Sequence, residues 1–350
     1  MLTRVPQPWT NVYGLARTLV ALGTAGTLAF SATSTLFRPV AMLGDYPLCE
    51  GLSRAGVFCV VPGGQLTLAR WLCVAALLVV ASGWRPRWTA PAHAWIGFSV
   101  FSGIAISDGG DQIAMILALL LAVPALGDPR RWHWQRLPDG VEDRRRGWAL
   151  AGSGALVLLR VQMCFLYFQA CVAKLPHSEW ADGTALWYWG TSDTFGPPGP
   201  LRPLVEPMLA LPVGVAVLTW LPLFVEIALA ACLLVRQRLR YWLLAAGVGF
   251  HLSIAVMMGL WSFAFAMWGG LVLLCLPLGA HLSPRRRAGA DARAEDGTED
   301  DTGDGTKGDA GAERGDGPAD GSEDGAAAGR APVVPVPVAS PEDAGRVVRL

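Results

Sequence analysis

The strongest constraint on this chain is where its charge lies. Of 350 residues 56 are charged, 28 of each sign, and residues 283–350 hold 24 of them. The first 282 residues carry the other 32, about one in nine, against roughly one in four in a soluble globular domain. The neutral total therefore hides a core of net charge +6 and a tail of net charge −6. A surface so poor in charge does not suit a soluble fold, and the core shows no basic stripe of the kind that nucleic acid demands. The composition predicts an all-α, polytopic membrane protein whose environment is the lipid bilayer, with no nucleic-acid partner.

A spanning helix needs about 20 predominantly apolar residues. Eight stretches qualify: 14–37, 66–83, 91–107, 111–126, 148–176, 209–235, 241–259 and 262–280. The third and fourth are short enough to read as one broken hairpin, and Pro222 marks a kink in the sixth. Basic residues set the orientation, because loops rich in Arg and Lys stay in the cytoplasm. With the N-terminus inside, fifteen arginines fall on the inner segments, including Arg144, Arg145 and Arg146, and four fall outside: Arg38, Arg54, Arg70 and Arg202. Eight spans then leave both termini cytoplasmic, in the plasma membrane. The membrane domain is expected over 10–282. The tail, 283–350, is rich in Asp, Gly, Ala and Glu and too poor in large apolar residues to offset its ordering entropy, so it is expected to be disordered.

Of the seven cysteines, Cys49 and Cys59 lie in the first outer loop, where the compartment is oxidising and a disulfide closing a short loop is expected, the alternative being two unrelated thiols. No Cys/His spacing suggests a metal site.

Ionisable groups inside spans are costly and are functional candidates. Counted from the helix ends at 1.5 Å per residue, Arg160, Glu226 and His251 fall at depths of about 18, 14 and 15 Å. This predicts an Arg160–Glu226 pair with His251 beside it, either as a clamp between helices or as the floor of a polar pocket. Arg160, Tyr167 and Lys174 recur every seven residues, so they share a helix face that should turn away from lipid. At the outer mouth Asp108 and Asp111 cap spans three and four in the run SDGGDQ, and His177, Glu179, Trp180 and Asp182 follow Lys174. Lys174 is one of two lysines among 28 basic residues, the other being Lys307. A lysine can lose its proton on burial and act as a base, which an arginine cannot. The alternative is a lysine that reaches out to the headgroups.

The run RVQMCFLYFQACVAKLPHSEWADGTALWYW, residues 160–189, resembles the signature of HTTM-domain membrane proteins, the superfamily that includes the vitamin K-dependent γ-carboxylases. The matching positions are Arg160, Tyr167, Phe168, Ala170, Lys174, Leu175, Trp180 and Gly183, with a weaker second match in GFHLSIAVMMG around His251. Within that superfamily the chain looks closest to the bacterial SdpB-type toxin-maturation proteins. That likeness implies a part in the maturation or export of a secreted peptide, carried by the outer loops 38–65 and 177–208, with the peptide or a companion membrane protein as partner. The carboxylase likeness implies instead a quinone or hydroquinone cofactor and Lys174 as the base that deprotonates it, with Asp111 or Gln112 standing where the carboxylases have a histidine beside an asparagine. An aspartate there would hold Lys174 protonated, and the chain shows a tail in place of the carboxylases' large exported domain. A third reading, a small-molecule transporter, lacks support from inverted repeats.

Overall fold

The computed structural model describes residues 6–41, 44–62, 64–138 and 140–282; the expected disordered tail lies outside the described residues. Among the described residues eight long helices follow one another: α1 (Asn11–Phe30), α2 (Leu66–Ser82), α3 (Pro86–Gly103), α4 (Gly109–Gly127), α5 (Arg146–Lys174), α6 (Pro212–Ala230), α7 (Gln237–Met258) and α8 (Trp261–Cys275). Short helices fill the connections, and among the described residues there is no β-strand, only isolated bridges. The helices of α1, α4, α5, α6 and α7 are long and apolar enough to cross a membrane, while α2 and α8 are shorter apolar helices. The expected third and fourth spans are two separate helices, α3 and α4, rather than one broken hairpin.

Local chemistry sets the ends. Thr10 caps α1 by accepting a hydrogen bond from the Tyr13 N–H. Asp108 and Asp111 form a reciprocal capping box at the start of α4. The expected sixth span, 209–235, is in fact divided. Leu211 is extended, as the residue before a proline tends to be, so a short helix (Arg202–Ala210) ends there and α6 begins at Pro212. Likewise Leu276, before Pro277, is extended and stops α8 short of residue 280. The first span stops at Ser31 rather than at residue 37.

The centre of the bundle is α8, whose Ala264, Ala266, Met267, Gly269, Gly270 and Leu271 are all buried. Two of its glycines permit close approach: a Cβ on Gly269 would meet Val20 at 2.7 Å, and one on Gly270 would meet Met163 at 2.6 Å. Small residues at helix crossings are how apolar helices gain packing when lipid is as apolar as their side chains. The outer helices are inverted relative to a soluble protein. Phe224 on α6 and Trp242 on α7 are 67% and 72% exposed, whereas Arg17, Arg160, Glu226 and His251 are buried. Apolar surface outside and polar groups within is the arrangement a bilayer requires. The chain is therefore a multi-pass membrane protein.

Alternation of the helices divides the loops between two ends. One end carries the Cys49–Cys59 disulfide, with Cα atoms 5.6 Å apart, and the segment 175–211. The other carries the arginine-rich turns. There Arg130 donates to both oxygens of Asp128 and to the carbonyls of His133 and Gln135, at 2.6 and 2.9 Å, and so shapes the loop after α4. That loop docks on the α2–α3 turn. His133 Nε2 lies 3.2 Å from Thr18 Oγ1, and its ring sits so close to Gly83 that a Cβ there would meet it at 2.4 Å. Burial, then the guanidiniums of Arg17 and Arg130, push the His133 pKa down to about 2.

Candidate functional site

Helix α5 supplies the site. The face bearing Arg160, Tyr167 and Lys174 turns inward as the seven-residue spacing predicted: Arg160 and Tyr167 are 8% and 1% exposed. Lys174 is in the last turn of α5, at the disulfide end. Because helical side chains lean toward the helix N-terminus, its chain runs back into the bundle rather than out to the headgroups. Its Nζ lies 2.5 and 2.6 Å from the two oxygens of Glu226 on α6. The lysine side chain is 25% exposed and the glutamate side chain 6%. Trp180 closes the other side, with Lys174 Nζ 5.3 Å from its ring centroid. The Trp180 carbonyl accepts a hydrogen bond from Trp220 of α6 at 3.0 Å, which ties the segment after α5 to this helix. Gly183 sits against Trp220 with φ +76°, a conformation that side chains rarely adopt.

One turn pair deeper, the Tyr167 hydroxyl and His251 Nε2 are 2.9 Å apart. Both residues are buried, and the His251 ring packs 5.4 Å from Phe263 of α8. His251 Nδ1 has no hydrogen-bond partner among the described residues. Two pairs from α5, α6 and α7 thus stack into one polar column beneath the disulfide-end loops.

The expected Arg160–Glu226 pair is not formed. Arg160 instead donates to the Leu273 carbonyl at 2.7 Å and to that of Leu276, the unpaired carbonyls at the end of α8. The depth arithmetic failed because α5 runs for 29 residues, about 43 Å at 1.5 Å per residue, and starts well outside the common plane. Arg160 therefore lies a full seven residues, roughly 10 Å, below the level of Tyr167. Asp111 is also not the partner of Lys174. It is 5% exposed, and its carboxylate accepts from Thr27 Oγ1 at 3.1 Å and from the Asp108 N–H at 3.3 Å. Asp108 in turn accepts from the Asp111 N–H at 2.9 Å. Asp111 thus fastens α4 to α1, and Asp108 caps α4. Asp182 is exposed, and its N–H donates to the Ser178 carbonyl.

Sequence reasoning passed over a second buried cluster at the arginine end. Arg17 is fully buried, donates to Thr89 Oγ1 at 2.8 Å and leaves Nη1 without a partner among the described residues. Its only sequence signal was a basic residue six places into an apolar helix.

A large apolar cavity of about 550 Å³ lies between α6 and α7, bounded by Pro222, Val225, Gly249 and Phe250 among others. Lys174 does not line it. A hydroquinone awaiting deprotonation does not fit this arrangement, because the lysine is paired with the Glu226 carboxylate and the apolar cavity between α6 and α7 has no ionisable group on its wall. Among the described residues no three His, Cys, Asp or Glu side chains gather as a metal site.

The sequence matches the HTTM domain over residues 144–277, which span α5 to α8 and so contain the whole polar column. The uncharacterized protein YitO of Bacillus subtilis (strain 168) is 37% identical over 273 residues, covering 77% of this chain and 87% of YitO. The sporulation-delaying protein SdpB of the same organism is 30% identical over 273 residues, covering 77% of this chain and 83% of SdpB. No solved structure matches. With the signature residues on one inward face of α5 and relatives matched across nearly their full lengths, this chain belongs to the HTTM-domain membrane proteins of the SdpB family.

Proposed function

We propose that this protein takes part in the maturation or export of a secreted peptide, at the outer face of the plasma membrane, with both termini in the cytoplasm. The reading rests on one observation above the rest: the ammonium of Lys174, a quarter exposed, is held by a buried carboxylate directly beneath the disulfide-end loops. A cation fixed in that way is poor at abstracting protons and good at recognising a polar group. A peptide carboxylate or carbonyl approaching from the disulfide end meets Lys174 and Trp180 first, with Glu226 behind them. Orientation is supported by the fifteen arginines of the opposite segments and by the Cys49–Cys59 bridge, which suits an oxidising compartment. The choice of a peptide over a small solute follows the resemblance of residues 160–189 to the toxin-maturation proteins of the SdpB type.

The test is photo-crosslinking in the native host, with a crosslinker placed at Asp182, an exposed position two residues from Trp180. The expected adduct is a peptide made with an export signal, whose mature form disappears from the medium when this gene is deleted. Unchanged maturation of every secreted peptide in the deletion strain would overturn the proposal.

A further inference from the structure

We propose that the cavity between α6 and α7 is a binding site for one zwitterionic phospholipid with a primary ammonium, of the phosphatidylethanolamine class. This site is separate from the polar column, and the inference does not depend on the peptide reading.

The cavity of about 550 Å³ runs along α7 from Ala246 to Met258. Twelve residues of helix are about 18 Å, close to one leaflet of a hydrocarbon core roughly 30 Å thick. It reaches the disulfide end, where the helix Arg202–Ala210 roofs it through Val205, Met208 and Leu209. Its wall holds no ionisable side chain, and its serine, Ser253, already donates to the Phe250 carbonyl at 2.7 Å. Only an apolar chain suits such a wall.

A second cavity of about 280 Å³ adjoins the first, and Gly190 and Leu209 line both. Its character is different. Arg202 and Glu206, one helical turn apart, line it together with Trp187. One cation, one anion and one aromatic face stand at the mouth of an apolar slot about a leaflet deep. The complement is an amphiphile with a phosphate for Arg202 and an ammonium for Glu206 and the Trp187 ring. An anionic head without an ammonium would leave Glu206 facing like charge.

The energetics point the same way. An acyl chain gains little by leaving lipid for a protein slot, since both are apolar. What the slot offers is the filling of space that would otherwise forfeit dispersion contacts. Selection must therefore come from the head, and the head site is the part with complementary charge.

The experiment uses the full chain in nanodiscs of equal phosphatidylethanolamine and phosphatidylglycerol, followed by native mass spectrometry of lipid retained after mild delipidation. The expected result is one retained phosphatidylethanolamine per protein, enriched about tenfold over phosphatidylglycerol. Glu206→Gln should remove that enrichment, a tenfold change that equals about 1.4 kcal/mol. Gly249→Leu should abolish retention of either lipid by filling the slot, since a Cβ at Gly249 meets nothing within 4 Å and the fold has room for it. Ala246→Leu, on the same wall, serves as the second filling variant, and the thermal midpoint of each should match wild type. Equal retention of the two lipids, preference for phosphatidylglycerol, no retained lipid in wild type, or undiminished retention in both well-folded filling variants would each overturn the assignment.

Discussion

Removing Lys174 and removing Glu226 should have unequal costs, and removing both should cost less than either removal implies. Glu226 is the more deeply buried partner, 6% exposed against 25% for the lysine side chain. Lys174→Met strands a carboxylate inside the bundle, a change that typically costs 3–5 kcal/mol. Its place near the disulfide end argues for the lower bound, about 3 kcal/mol. Glu226→Met strands an ammonium that can swing toward the headgroups on a flexible stem, so about 1–2 kcal/mol is expected. The double variant Lys174→Met/Glu226→Met replaces a buried ion pair with apolar side chains, which is often close to neutral. The cycle should therefore return a coupling of about 4–5 kcal/mol, far above the roughly 0.5 kcal/mol within which independent sites add. Equilibrium unfolding in mixed micelles, with each variant measured at one lipid-to-detergent ratio, reads these differences. Additive single effects, or an equal cost for the two single variants, would refute the reasoning that the pair is buried asymmetrically.

Three further outcomes follow from the same geometry. Arg160→Met should cost about 3 kcal/mol in that unfolding assay, because two carbonyls at the end of α8 lose charge-assisted donors worth about 1.5–3 kcal/mol each. Cys49→Ser should lower stability by about 3 kcal/mol under oxidising conditions, the loop-closure value for a bridge of 10-residue separation, and should change nothing once wild type is reduced. His133 should make the protein acid-sensitive: with its folded pKa near 2 and the unfolded value near 6.5, stability is whole above pH 6.5 and falls as pH drops toward the folded value. At about 1.4 kcal/mol per pH unit, that is about 2 kcal/mol between pH 6.5 and 5, measured as the pH slope of unfolding and removed in His133→Gln.

The eight helices were legible because most are apolar runs of spanning or near-spanning length. Their ends were less so. Prolines at 212 and 277 stop helices whose apolar runs continue past them, and hydropathy does not register that loss of backbone donors. The inward face of α5 was readable from the seven-residue spacing of Arg160, Tyr167 and Lys174. The pairing was misread because depth was counted from helix starts as if all began in one plane, and α5 is too long for that. The tilt of helical side chains toward the N-terminus was available from the sequence and would have sent Lys174 down to Glu226. The capping role of Asp108 and Asp111 in SDGGDQ was readable, and the structure realises it as a capping box at the start of α4. The His133 and Arg17 contacts were not readable at all. They join residues 115 and 72 positions apart, and only the packed bundle brings those together.

The central claim is that Lys174 serves as a fixed cation paired with Glu226 and not as a base. Complementation of a deletion strain with Lys174→Arg tests it most directly, with maturation of the secreted peptide as the readout and membrane abundance as the control for folding. Arginine keeps the charge and can bridge both Glu226 oxygens, but it cannot give up its proton. The account predicts that Lys174→Arg retains most of the activity while Lys174→Ala loses it. A Lys174→Arg protein present at wild-type abundance and fully inactive would contradict the account and restore the lysine to the role of base.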